Sequence, residues 1–339
     1  MANVLDLFKQ TEVLNYLQNR KYPALLGETL FPEVKQQSLE FDEIIGAGKT
    51  PVIASIHSFD TESEIGSREA ESRKMELALI KRKLQLKEKD IIALEQPRSK
   101  AEQEYLMREV YNDIDTLVNG VRGRVEAMRM EALATGKITI AENNLNGTVE
   151  YGVPDEHKEI LTDTDLWTND ESDPIEDMIR WSETLDTVPT RALTSRAVLG
   201  ALLRHPKIVK LLNKSEVGIV TRNELNNVLA QYELPQIATY DNVYRKQQAD
   251  GTYTRERYFP KNAFVMFGDG PLGRTIYGPT AEEIRLLRDP SIQTNMIGKI
   301  LAMVYEENLD PVSTWTKAVA TAMPSFPTAG EVFQAQVIE

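Results

Sequence analysis

One long apolar period, from Ser99 to Gly136, limits this chain more than any other feature. Ser99-Lys100-Ala101-Glu102 has the order of a capping box, with Pro97 just ahead of it. Leu106, Val110, Ile114, Leu117, Val121, Val125 and Met128 follow at steps of three or four, and Gly136 closes the run. The spacing predicts a helix over 99–134, about 54 Å long at about 1.5 Å per residue. Globular helices average about 11–12 residues, so the rest of the chain must be arranged around this rod. Gly120 and Gly123 fall inside it and are expected to weaken or bend it.

The flanking segments mix both periodicities, which makes the class α+β. Val4, Leu7, Phe8, Leu14 and Leu17 predict an amphipathic helix over 3–20. Pro23, Gly27 and Pro32 forbid a regular helix in the next segment, although Leu25, Leu26, Leu30 and Phe31 are apolar. Such an arm must bury itself, against its own core or against a neighbour. Strands are predicted over 38–45 and 52–56. Met75, Leu77, Leu79, Leu84 and Leu86 alternate with charged or polar residues within 74–94, which predicts a long charged hairpin projecting from the body. A helix over 68–88 competes with it, because Glu, Lys and Leu are good helix formers. A hairpin over 137–151 is expected to turn near Asn146-Gly147, followed by an acidic loop over 155–173. Asp173-Pro174 starts a helix through Leu185. A strand over 190–193 and helices over 195–203, 206–213 and 221–231 come next, the last opened by Thr221 and Glu224. A second hairpin turns at Asp250-Gly251 ahead of the strand AFVMF; then come a helix over 280–287 and strands over 312–323 and 331–338.

Composition narrows the chemistry. The 39 basic and 52 acidic side chains give a formal charge of −13, so the surface as a whole does not grip nucleic-acid phosphates, though it can lie beside DNA. With no cysteine there is no disulfide, thiolate metal site or thiol nucleophile. The N-terminal residues lack the layout of a signal peptide, and no apolar run approaches the ~20 residues that span a bilayer, so a soluble protein without a membrane partner is expected.

Motif by motif, the catalytic readings weaken. Gly46-Ala47-Gly48-Lys49-Thr50 resembles the end of a phosphate-binding loop, but Glu43 stands where a glycine is needed and Pro51 follows instead of a helix. Gly268-Asp269-Gly270-Pro271-Leu272-Gly273 matches a dinucleotide fingerprint in letters, yet Gly278 and Pro279 interrupt the required helix. His57, His157 and His205 have no ligand spacing, and Asp163 with Asp165 reads as a solvated turn. No catalytic, cofactor or metal residue is therefore assigned. The run Lys81-Arg82-Lys83 is either a solvated strand face or a contact for an acidic patch on another copy of the chain.

The order of these parts resembles the lambda-like phage major capsid protein E family, with its Hong Kong 97-type capsid fold. The resemblance rests on the aromatic-proline arm (Tyr22-Pro23, Leu30-Phe31-Pro32) and on the charged stretch IKRKLQLKEKDIIAL. It rests most on PRSKAEQEYLMREVYNDIDTLVNGVRGRVEAMRMEALATGKITI, a long helix running into a hairpin. It implies an N-terminal arm over 1–37, peripheral-domain strands over 38–56 and an extended hairpin loop over 57–93. A peripheral domain with the spine helix then spans 94–164, an axial domain 165–310, and C-terminal strands over 311–339 return to the peripheral domain. It further implies hexamers and pentamers of one chain in an icosahedral shell around double-stranded DNA, assembled in the host cytoplasm. Portal and scaffold proteins would be partners, with a decoration protein in some relatives. Leu30 and Phe31 of the arm, and Lys81, Arg82 and Lys83 of the loop, are the expected contacts with neighbouring copies. Deleting 57–90 is expected to leave a soluble subunit that builds no shells. An encapsulin-like cellular compartment and a nucleotide-binding cytoplasmic enzyme are the alternatives.

Overall fold

The computed structural model describes residues 4–45, 71–142, 145–212, 220–248, 250–307 and 312–339. The strand expected over 52–56, the Gly46–Thr50 motif and His57 lie outside them. The chain begins with α1 (Val4–Leu7) and α2 (Gln10–Asn19), two helices where one was expected. The irregular arm holds one short helix, α3 (Leu26–Leu30), and then β1 (Glu33–Lys35) and β2 (Glu40–Ile45). Next come β3 (Glu71–Glu76), β4 (Ala78–Leu86), α4 (Glu88–Glu95) and the spine helix α5 (Lys100–Thr135). The strands β5 (Lys137–Glu142), β6 (Leu145–Glu150) and β7 (Lys158–Ile160) lead to α6 (Pro174–Thr184) and β8 (Arg191–Thr194). Three helices follow, α7 (Arg196–Arg204), α8 (Pro206–Leu211) and α9 (Arg222–Gln231). The strands β9 (Gln236–Thr239), β10 (Val243–Gln247), β11 (Tyr253–Arg257), β12 (Ala263–Phe267) and β13 (Arg274–Gly278) come next. The last elements are α10 (Ala281–Leu286), β14 (Leu301–Glu307), β15 (Ser313–Ser325) and β16 (Phe333–Gln336).

The spine helix runs unbroken for 36 residues. Ser99 Oγ accepts from the Glu102 amide at 3.2 Å, while the Glu102 carboxylate returns to the Arg98 amide at 2.8 Å, so the box closes one residue early. Gly136 ends the helix in the left-handed region at φ 69°, where glycine is unstrained. Gln334 of β16 donates to the Leu133 carbonyl at 2.8 Å and satisfies one of the last orphan acceptors. Gly123 does not break the rod: a Cβ there would stand 2.9 Å from the Tyr258 hydroxyl, so the glycine makes room for a packed ring.

Two five-stranded sheets flank the helix. The first has the order β1-β13-β15-β14, with β4 on the other side of β15; the second is β7-β16-β12-β8-β9. The strand AFVMF is buried along its whole length, and its period of two divides its side chains between two cores. Ala263, Val265 and Phe267 join the core under the spine helix. Phe264 and Met266 face Trp167, Trp181 and Phe333 in the core beneath α6–α9. There Trp181 stacks on Phe333 at 5.0 Å and Trp167 meets Phe264 edge-on at 4.9 Å. Buried aromatic side chains like these contribute on the order of 1.5–3 kcal/mol each.

Several expectations need correcting. Residues 71–86 are not one projecting hairpin. β3 pairs with β2, whereas β4 pairs with β15 along Ala78–Leu86, and 88–95 is helical. The alternation was real, but it reports a strand half-buried on the body. Deleting 57–90 therefore removes a strand of the first sheet along with the ribbon. The β5–β6 register joins Glu142 to Leu145, which puts Asn146 and Gly147 inside β6. Part of the acidic loop is β7, held in parallel to β16. The three-residue β1, the five-residue β13 and the seven-residue β14 were not anticipated. The two C-terminal strands separate: β15 lies at the centre of the first sheet and β16 in the second, so 311–339 does not return as one unit.

Candidate assembly site

The spine helix carries Asp115, Arg122, Glu126 and Arg129 at steps of seven, four and three, which aligns them on one face. This strip receives the arm. Asp115 accepts hydroxyls from Tyr16 and Tyr22, each at 2.9 Å, and pairs with Arg20 at 2.8 Å. Arg122 donates to the Pro23 carbonyl at 2.8 Å and to Glu28 at 2.6 Å, with Tyr22 under its guanidinium at 5.2 Å. Glu126 is fully buried and accepts from the Gly27 amide at 2.9 Å and the Tyr240 hydroxyl at 2.8 Å. Arg129, also buried, donates to Glu33 at 2.8 Å and Thr275 at 2.7 Å and pairs with Glu126 at 3.4 Å. Buried charges are tolerated only when paired and hydrogen-bonded, and each of these is. At Gly27 a Cβ would lie 2.4 Å from Glu126 Oε2, so only glycine brings the arm backbone this close.

Electrostatics follow from this geometry. Burial pulls the Glu33 carboxyl upward, but Arg129 and Lys299 overcome it and hold the group below the usual carboxylate range. Burial first, and then the neighbouring carboxylate, pushes Tyr22, Tyr240 and Tyr277 well above the ordinary tyrosine value.

Leu30 and Phe31, the arm residues expected to meet a neighbour, are buried in the chain's own interior. Phe31 meets Phe326 edge-on at 5.4 Å, and its carbonyl accepts from Thr275 Oγ1 at 3.0 Å. They fix the arm to its own body and leave no surface for another copy. Lys81, Arg82 and Lys83 are exposed on β4, which pairs only with β15 among the described residues. Arg82 donates to Gln247 at 3.1 Å, and Lys83 sits 3.7 Å over the Trp315 ring. Sequence reasoning overlooked the polar strip. Its signal was present: charged residues at helical spacing beside the apolar stripe of an unusually long helix.

The glycine-rich loop after β12 has no phosphate-binding geometry. β13 follows it in place of a helix, and Arg191 draws the Gly268 and Gly270 carbonyls at 2.6 and 2.5 Å. A Cβ on Gly273 would stand 2.0 Å from the Ser325 carbonyl oxygen, so that glycine serves the approach of β15. Among the described residues no cluster of metal-ligating side chains occurs, and no helix is long and apolar enough to cross a membrane.

No curated protein matches the chain by sequence. Among solved structures it is similar to a protein described as the capsid protein of a prophage of Escherichia coli CFT073. The two share 15% identity over 99% of each chain, with a TM-score of 0.62. It is also similar to a phage-related protein of Bordetella bronchiseptica RB50, at 12% identity over 96% of this chain and 95% of that one, with a TM-score of 0.56. Identities this low show a shared fold. The family model described as phage major capsid protein E matches residues 9–337, nearly the whole length. The chain therefore belongs to the phage major capsid protein E family, whose members form the shell of the phage head.

Proposed function

We propose that copies of this chain associate as hexamers and pentamers and close into an icosahedral head around double-stranded DNA. Assembly takes place in the host cytoplasm with portal and scaffold proteins as partners and a decoration protein as a further one, and the chain performs no catalysis. The observation that carries this reading is the family match over residues 9–337, on a fold that leaves ribbons outside both sheets. The pairs β2–β3, β5–β6 and β10–β11 are each two-stranded. Isolated two-stranded ribbons are marginal in water and gain stability when covered. The first sheet with the spine helix is assigned as the peripheral part, and the second sheet with α6–α9 as the axial part. On β4 the exposed Lys81 and Lys83 serve two ends: they blunt an open sheet edge and face acidic surface on a neighbouring copy. Leu30 and Phe31 act indirectly, by holding the arm in place.

The test is expression of the chain alone and with its scaffold and portal, followed by negative-stain electron microscopy. Closed shells of uniform size are the expected result. A chain that stays monomeric under every assembly condition, in sedimentation as in images, overturns the reading.

A further inference from the structure

Two of the ribbons carry like charges directly opposite one another. In β10–β11, Arg245 pairs across the strands with Arg255, and both are exposed. Opposed like charges lower the stability of an antiparallel pair. Among the described residues no carboxylate reaches either guanidinium; Arg245 lies 5.2 Å over the Tyr253 ring, which holds it extended on the face. The opposite face of this ribbon is already occupied by its own chain, with Tyr244 against Tyr258 at 4.9 Å and Lys246 on Glu142 at 2.7 Å.

The second ribbon has the mirror-image arrangement. In β2–β3, Glu40 stands directly opposite Glu76, and the neighbouring pair on that face is Asp42 and Lys74. All four are exposed, while Phe41, Glu43 and Met75 turn inward. The arginine pair and the glutamate pair thus have opposite sign and one spacing, because directly opposed Cβ atoms sit about 4.5–5.5 Å apart. No ion pair joins the two ribbons within the chain among the described residues.

We infer that the Arg245/Arg255 face of one copy docks on the Glu40/Glu76 face of a second copy. The inference rests on the self-assembly reading above and names the surfaces that meet. Each ribbon's internal repulsion is relieved when the other covers it, so the contact favours the assembled state over the free chain. It joins two different surfaces, which leaves one of each kind open on the pair and lets the contact repeat around a ring. Partly exposed pairs of this kind weaken as salt rises.

The chain has no cysteine, so proximity can be read directly. Glu76→Cys and Arg255→Cys chains, mixed and oxidised under assembly conditions, should give a mixed disulfide dimer well above the background that either gives alone. R245E/R255E should lower the assembled fraction about tenfold at low salt, and E40K/E76K should do the same. The fourfold variant carrying both reversals should recover assembly. Normal assembly of either reversed variant, no mixed disulfide, or no recovery in the fourfold variant overturns the inference. So do R245E/R255E shells that form normally but hold less DNA, since the arginine face then binds nucleic acid. A mixed disulfide in chains that never form shells supports the ribbon contact and sinks the shell reading; shells without the disulfide do the reverse.

Discussion

Tyr22 donates its hydroxyl to Oδ1 of Asp115 at 2.9 Å, and Tyr16 takes Oδ2 at the same distance. One carboxylate on the spine helix therefore holds both ends of the turn between α2 and the proline segment. Asp115→Ala leaves two partly buried hydroxyls and Arg20 without their acceptor and should cost about 1–2 kcal/mol in urea unfolding. Amide exchange over residues 10–30 should accelerate before any change in α6–α9. The tyrosines add a pH effect. Their folded hydroxyls are raised above the ordinary value of 10.0, so their contribution is whole below about pH 10 and is lost as pH rises further. Tyr22→Phe should remove part of that alkaline loss along with the hydrogen bond.

Glu43 is buried at the base of the β2–β3 ribbon. Its Oε1 accepts from the Phe326 amide at 2.6 Å, while Oε2 has no hydrogen-bond partner among the described residues. Burial raises its pKa above the ordinary 4.5. A group raised in the folded state stabilises most below its unfolded value and loses that contribution as pH rises. Glu43→Gln keeps an acceptor for Phe326 and removes the buried charge. It should be more stable than the parent by about 1 kcal/mol at pH 7, and the difference should close as pH falls toward 4.5. Equal pH profiles for the two proteins count against this account.

Gly123 and Tyr258 should behave as a coupled pair. Gly123→Ala gains up to about 1 kcal/mol of helix propensity, but the new Cβ meets the Tyr258 hydroxyl, and the crowding should leave a net loss of about 1 kcal/mol. Tyr258→Phe removes the atom in the way, since the ring carbon behind it lies at 3.9 Å. In that background Gly123→Ala should stabilise, a change of sign that a double-mutant cycle in urea detects.

The glycines of the Gly268–Gly273 loop should separate cleanly. Gly273→Ala drives a Cβ into the Ser325 carbonyl and should cost at least about 3 kcal/mol. Among the described residues nothing lies within 4 Å of a Cβ added at Gly268, so Gly268→Ala should be near neutral in thermal melting. A phosphate cradle would make both glycines equally demanding and would show nucleotide binding by calorimetry; neither is expected.

Much of this fold was legible because local chemistry and the final contacts agree. Ser99, Gly136, Pro174 and the Thr221/Glu224 pair mark helix ends in the sequence and cap them in the structure. AFVMF reads as a buried strand, and it is one. The failures occur where tertiary pairing decides. β1 and β13 owe their form to partners far away in sequence, such as Val34 beside Ile276 and Ile276 beside Met323, whereas β14 pairs with the strand that follows it, Glu307 beside Ser313. β4 kept the alternation of an exposed hairpin because, although β15 pairs with it along its whole length, one of its faces stays open. The arm residues Leu30 and Phe31 read as apolar but carry no label for whose core they enter. Asp115 and Glu126 looked like surface charges, since nothing local to the helix announces Tyr16, Tyr22, Gly27 or Tyr240.

β15 joins three strands of the first sheet, and β16 follows it directly into the middle of the second. Each sheet thus takes an interior member from one continuous stretch, residues 313–336, which also supplies the Gln334 amide at the end of the spine helix. That stretch works as a rivet between the two sheets, so a lesion within it should loosen both cores together.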